Sequence, residues 1–498
     1  MEAESIGSSD DRSGAGSRDD SGTGSGGSGG GGDGSGGSSS GDGGGGGSSG
    51  RGSGGTSNPL QSFFDRDIVL ILAVIGGIYL AYLLTGLALG FEARGLINVI
   101  ARLTFLIGVF SMLALALNLH WGYTGLFNIG VVGFMAVGIY TMAMVSKPAS
   151  TGGAAQIPGL GLPIWVGVIA GVLAAALLGF LVALPALRLR ADYLAIVTIA
   201  MSEIVRFVYM SGQFQEFTLF GAKLGTGGGS GLILNYTDPL AALLEFFGLS
   251  GLYDGLVGVV STVVPNNPEP VANQFVYAAL LMGFVAGFYW LLKRTGESPF
   301  GRVLKAIRED EDAAGSLGKD TNAFKIKSFM LGCALMGLGG ILWYMGQGAV
   351  TPLSFRPQVT FFVWIALIIG GAGSNTGSVI GGAVFAAVLF EGPIYFRNLL
   401  ISVFPVGDAP DTFGQALAPL LSALEIVPLL AFTLDNMSTL RLVIMGVVLV
   451  YIMKNRPEGL MGHRTEIASS IDLSRPKASK ADSTSAPATA ADGGRADE

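Results

Sequence analysis

Ten apolar runs divide residues 68–453, with polar or charged stretches between them. They fall at 68–90, 97–119, 123–145, 164–187, 193–210, 275–292, 326–345, 359–373, 379–396 and 440–453. Most approach the roughly 17–25 residues a helix needs to cross a ~30 Å hydrocarbon core. The third is glycine-rich, the fifth is interrupted by Glu203 and Arg206, and the eighth and ninth can be counted as one re-entrant unit. The short alternating strands of a transmembrane barrel are absent from the sequence. The pattern predicts an all-α polytopic membrane protein, a bundle of about ten transmembrane helices.

Lysine and arginine in the short connections set the orientation. With the amino terminus cytoplasmic, the inner side receives Arg188 and Arg190 after the fourth run and Lys454, Arg456 and Arg464 at the carboxyl flank. It also receives Lys293, Arg294, Arg302, Lys305, Arg308, Lys319, Lys325 and Lys327 after the sixth. The outer connection 211–274 holds only Lys223, and 398–439 holds neither residue type. Both termini are then cytoplasmic. Apolar stretches at 240–247, 252–264 and 417–434 are expected to lie against the membrane or cap the outer mouth.

The charged insert 293–327 breaks the apolar pattern most sharply. Ser298-Pro299 signals a helix start, with serine as N-cap and proline at the first helical position. Phe300, Val303, Leu304 and Ile307 share one helical face, and Arg302, Lys305 and Arg308 are expected largely off it. Glu309, Asp310, Glu311 and Asp312 follow, then Ala313 and Ala314, with Gly318 as a stop. A second short helix is expected near Asp320 or Thr321. Such an element either rests on the inner leaflet or lies in a groove of a cytoplasmic motor subunit, where rigid-body motion would tilt the attached spans.

Composition agrees with a membrane chain: half of the residues are hydrophobic, 13% are charged, and the mean hydropathy is +0.56. A soluble domain is about a quarter charged. Residues 1–58 are Gly, Ser and Asp with almost no large apolar side chain, and 465–498 form a second polar tail. Both are expected to be disordered, flanking a transmembrane domain at 59–464. The net charge of −7 argues against nucleic-acid partners, and resembles proteins of a high-salt prokaryotic cytoplasm. The single cysteine, Cys333, sits in an apolar run, and His120 and His463 lie far apart. No metal-ligand spacing or nucleophile–base arrangement stands out, so enzyme chemistry is not expected.

Ionisable and polar residues in the spans are candidates for the translocation path. Glu203 and Arg206, three apart, form either a structural ion pair or a gate. Asn118, Tyr123, Thr124 and Asn128 bracket the turn between the second and third runs. There a broken helix either presents polar groups to a pathway or serves close packing through Gly122, Gly125, Gly130, Gly133 and Gly138. The stretch 370–378 carries the same two readings.

At these residues the chain resembles the permease subunits of ABC importers. Asp312-Ala313-Ala314 followed by Gly318 is similar to the Glu-Ala-Ala, three residues, Gly core of their cytoplasmic loop, although the downstream Ile-x-Leu-Pro is missing. ALALNLHWGYTGLFNIGVVGFMAVGIY, LRLRADYLAIVTIAMSEIVR, TGGGSGL, SPFGRVLKAIREDEDAA, IGGAGSNTGSVIGG and RPEGLMG resemble, in order, blocks of the branched-chain amino-acid permease family, most closely its M-type branch. The resemblance implies inward transport of branched-chain or related small amino acids. It implies a second permease of similar fold, two cytoplasmic ATPase subunits and an external binding protein. No Walker A sequence is present, so ATP and magnesium belong to the partner ATPase and the chain needs no cofactor of its own. It also implies that 302–318 couples to the ATPase. A permease for urea, short amides or a simple sugar, and a motor-independent transporter or channel, are the alternatives.

Overall fold

The computed structural model describes residues 59–149, 157–187, 191–219, 221–234, 250–265, 268–404 and 407–461. The predicted tails, Arg188, Arg190, Arg464, His463 and the stretch 240–247 lie outside the described residues.

Each of the ten apolar runs falls on a helix. These are α1 (Pro59–Ala88), α2 (Ala93–Asn118), α3 (Val131–Ser146), α4 (Ile164–Ala186) and α5 (Ala191–Met210). Two short strands, β1 (Phe217–Leu219) and β2 (Ala222–Leu224), form a hairpin in the long connection, followed by β3 (Leu232–Ile233) and α6 (Ser250–Val263). Then come α7 (Glu269–Glu297), α8 (Pro299–Glu309), α9 (Glu311–Ser316), α10 (Thr321–Met345), β4 (Ala349–Val350) and α11 (Pro357–Gly370). The chain ends in α12 (Asn375–Val384), α13 (Gly392–Val403), α14 (Phe413–Ala423), α15 (Val427–Asp435) and α16 (Met437–Asn455). α12 passes into α13 through a π turn at Phe385–Glu391. The protein is an all-α polytopic membrane protein. Eight helices among the described residues are long and apolar enough to cross a membrane.

Two predicted spans differ from this standard. α3 has 16 residues and α11 has 14, about 24 and 21 Å at 1.5 Å per residue, short of a ~30 Å core. The third span does not begin at Tyr123. Residues 119–123 prolong α2 as a π turn, and 125–130 are non-helical. The apolar run concealed this break because Leu126, Phe127 and Ile129 keep the hydropathy high while the backbone unwinds. Non-helical backbone is tolerated at membrane depth only when protein or a water-filled cavity surrounds it. Here Leu126, Asn128 and Gly130 are buried.

α2 is the central helix. It is almost wholly buried from Leu103 to Asn118 and packs on α7, α10, α11 and α12. α3, α4 and α10 form a second tight group. Backbone contact through small residues holds it. A Cβ at Gly138 would lie 2.5 Å from Gly337 O, and one at Gly340 would lie 2.6 Å from Met135 Cα. With little hydrophobic drive between helices in lipid, such close approach supplies dispersion contact instead. α1 and α16 are peripheral, with Leu80, Leu84 and Leu87 and Val443, Val447 and Val450 turned outward.

The connections fall on two faces. On one, α8 meets the ends of α2 and α7 and the start of α10, and Leu460 N donates to Ile369 O at 2.8 Å. On the other, β3 pairs with β4, and Thr226 donates to Tyr209 O at 2.9 Å. α6 packs through Val260 and Val264 on Val271 and Ala272 of α7. The predicted stretch 417–434 is the helical pair α14–α15.

Candidate functional site

The charged insert folds into three helical pieces, each with its cap. Ser298 Oγ accepts from Gly301 N at 3.2 Å, Asp310 from Ala313 N at 2.9 Å and Asp320 from Ala323 N at 3.1 Å. Each cap satisfies a backbone donor that the first helical turn leaves unpaired. Gly318 adopts φ +76°, a left-handed stop that favours glycine. The corner between α7 and α8 is tight enough that a Cβ at Gly301 would lie 2.6 Å from Gly296 Cα.

α8 lies on the bundle with Leu304 and Ile307 buried and Phe300 stacked on Phe324 at 5.4 Å. Two cations expected off this face turn out to serve it. Lys305 is buried, donates to Gly296 O at 3.2 Å and lies 5.2 Å above the Tyr123 ring. Arg308 donates to Gly122 O and packs on Gly125, whose φ of +74° turns the chain beneath it. Long aliphatic stems let Lys and Arg cover apolar surface while their heads find carbonyls, so polarity alone did not place them outward. Glu311 pairs with Lys325 at 2.5 Å, and Lys325 reaches Leu187 O at 3.4 Å. The outward surface is left to Arg302, Glu309, Asp310, Asp312 and Ala313, with Ala314 buried. Leu317 joins it, 81% exposed. That exposed leucine escaped the sequence reading, although its place just before the αL glycine was a usable signal.

Asn118, Tyr123, Thr124 and Asn128 are all buried but belong to two networks. In the first, Asn118 Nδ2 donates to Asn375 Oδ1 at 3.1 Å, and Asn375 Nδ2 to the Tyr123 hydroxyl at 2.7 Å. Asn118 Oδ1 accepts from Gly373 N at 2.7 Å. In the second, Asn128 Nδ2 donates to His120 Nδ1 at 3.2 Å, while Asn128 Oδ1 accepts from Gly130 N at 2.8 Å. His120 Nε2 therefore carries the proton and donates to Phe329 O at 3.0 Å. Thr124 meets Ser328 at 2.8 Å. These networks join α2 to the start of α12 and to α10, and satisfy buried groups that are expensive to leave unpaired. His120 was missed as a member, whereas Asn375 lies in the stretch 370–378 that carried the same two readings. Thr124 also lines a cavity of about 150 Å³ beside Arg308 and Glu311.

Glu203 and Arg206 are an intrahelical pair on α5. Arg206 Nη2 lies 2.5 Å from Glu203 Oε2, and the guanidinium stands 4.4 Å from the Phe207 ring. A second intramembrane pair had gone unremarked. Arg102 of α2 meets Glu391 at the end of the π turn, at 2.8 Å. The rule that singled out Glu203 applied equally to both residues, since they fall in the second and ninth apolar runs. Among the described residues no cluster of three His, Cys, Asp or Glu could hold a metal ion.

The bundle with its buried helix breaks, and the capped, charged helix across one end, define an all-α polytopic membrane protein. Residues 99–396 match the family described as branched-chain amino acid transport system / permease component, and the chain belongs to it. The chain is 33% identical over 311 residues to the high-affinity branched-chain amino acid transport system permease protein LivM of Escherichia coli (strain K12), covering 60% of this chain and 64% of that protein. It is 26% identical to the probable branched-chain amino acid transport permease protein LivM of Methanocaldococcus jannaschii, over 61% of this chain and 84% of the relative. It is 32% identical to the permease protein LivH of Escherichia coli (strain K12), over 18% and 28%. No solved structure gives a significant match.

Proposed function

We propose that this chain is the membrane permease subunit of an ATP-driven importer that moves branched-chain or related small amino acids inward. An external binding protein delivers the cargo. A second permease of similar fold completes the pathway, and two cytoplasmic ATPase subunits hydrolyse magnesium-bound ATP. The Lys- and Arg-rich face is cytoplasmic, as are both termini. The observation that carries the reading is the mounting of α8. One face of the α8–α9 unit is fastened to three spans, through Arg308 to α2, Lys305 to α7 and Glu311 of α9 to Lys325 of α10. The other presents Arg302, Glu309, Asp312 and Leu317 outward. A push on that surface moves rigid elements together, as shear and hinge transitions require. The relatives' printed names support the cargo, and likeness to both LivM and LivH supports a permease pair.

The test is reconstitution into vesicles with candidate ATPases and binding protein, followed by uptake of labelled leucine, urea and glucose. Uptake of leucine that needs both ATP and the binding protein is expected. ATP-independent uptake by the purified chain alone would sink the proposal, and preference for urea or glucose would replace the cargo.

A further inference from the structure

On the face opposite α8, the first half of α2 borders a cavity of about 560 Å³. Asn98 and Arg102, one helical turn apart, line one wall, and Gln274, Tyr277 and Gln347 line the others. Its floor is apolar: Phe105 stacks on Tyr277 with ring centroids 6.2 Å apart, and Ala101, Ala278 and Met345 complete it.

Arg102 is the charged group on this wall. Its Nε and Nη2 both donate to Glu391 Oε1, at 2.9 and 2.8 Å. The Glu391 side chain is 4% exposed, that of Arg102 62%. The carboxylate is therefore the buried anchor and the guanidinium the presented group. Arg441 approaches the same end of the π turn, donating to Phe390 O at 3.2 Å. Two guanidiniums gather about one carboxylate, which leaves this corner an excess positive charge. Arginine's planar fork is suited to reading a second carboxylate. Asn98, Gln274 and Gln347 carry amide oxygens that accept from an ammonium.

We propose that this cavity is an amino-acid binding site of the permease itself. Arg102, oriented by Glu391, takes the α-carboxylate, the amide oxygens take the α-ammonium, and the Phe105–Tyr277 floor takes an apolar side chain. The site rests on the proposed cargo and gives the permease its own selectivity for a zwitterion.

The experiment uses the complete reconstituted importer in vesicles of fixed lipid composition, with uptake of labelled leucine over a concentration range. Co-purification of the subunits serves as the folding control. Arg102→Lys keeps the charge and its pairing with Glu391 but loses the fork, and uptake is expected to fall about tenfold or more. The double replacement Arg102→Met with Glu391→Met removes the pair without leaving a lone charge, and uptake is expected to stay low. If that double variant recovers wild-type uptake, or Arg102→Lys transports normally, the pair is structural and the binding site is overturned. Should the double variant fail to co-purify, Arg102→Lys decides alone. Should wild type show no ATP-driven leucine uptake, the cargo assignment fails first, and binding of labelled leucine to the purified wild-type and Arg102→Lys complexes decides the site.

Discussion

Replacing Arg308 with methionine tests the mounting of α8 most directly. The guanidinium donates to Gly122 O across 186 residues of sequence, and its side chain is 26% exposed. Methionine keeps much of the stem that packs on Gly125 and removes only the charged head. A hydrogen bond from a charged group contributes about 1.5–3 kcal/mol, and partial exposure puts this one at the low end. A loss of about 1.5 kcal/mol multiplies the local opening constant of α8 roughly tenfold. Amide hydrogen exchange across α8, measured on the complex in nanodiscs, should therefore speed up about tenfold at Leu304–Ile307, while amides in α4 stay unchanged. Transport per ATP hydrolysed should fall, because α8 then moves without drawing α2. Exchange in α8 within about twofold of wild type would refute the claim that Arg308 fastens the helix.

Three further outcomes follow from the geometry. Replacing Arg302, Asp312 and Leu317 with Gln, Asn and Ser should leave thermal unfolding within about 0.5 kcal/mol of wild type, as for surface changes, while ATPase-driven uptake drops; normal coupled uptake would exclude these side chains from docking. Gly332→Ala drives a methyl into the His120 ring and should destabilise by about 1–3 kcal/mol, read as a lower unfolding temperature in detergent. Asn375→Leu removes the acceptor of Asn118 Nδ2, a buried group, and should cost about 1–3 kcal/mol, whereas Thr218→Ala on the exposed β1 should be neutral by the same assay.

The long helices were readable because lipid demands long apolar runs, so hydropathy located the eight that can cross a membrane, while it overcounted α3 and α11 as full spans. Caps were readable for a local reason: Ser298, Asp320 and Gly318 act within three residues of where they stand. Lys305 and Arg308 were not, because whether a cation faces out depends on which carbonyls lie across the bundle. The same limit hid the partners of Asn118 and His120, which come from α12 and α10. It hid the break at 125–130, where side chains stay apolar while the backbone unwinds. Arg102 and Glu391 lay within reach of a local rule. Only their pairing, 289 residues apart in sequence, needed the fold.

The backbone seams at Gly130, Gly138, Gly370 and Gly381 shape how this chain is free to vary. At each, any other residue places an atom where a neighbouring main chain already lies, so even the smallest codon change meets a wall. The outer sides of α1 and α16 meet no such wall. In a saturation library selected for uptake, accepted substitutions should accumulate on those outer helices and stay scarce along the seams. The interior is then a fixed frame, and adaptation to a new membrane or partner proceeds from the periphery.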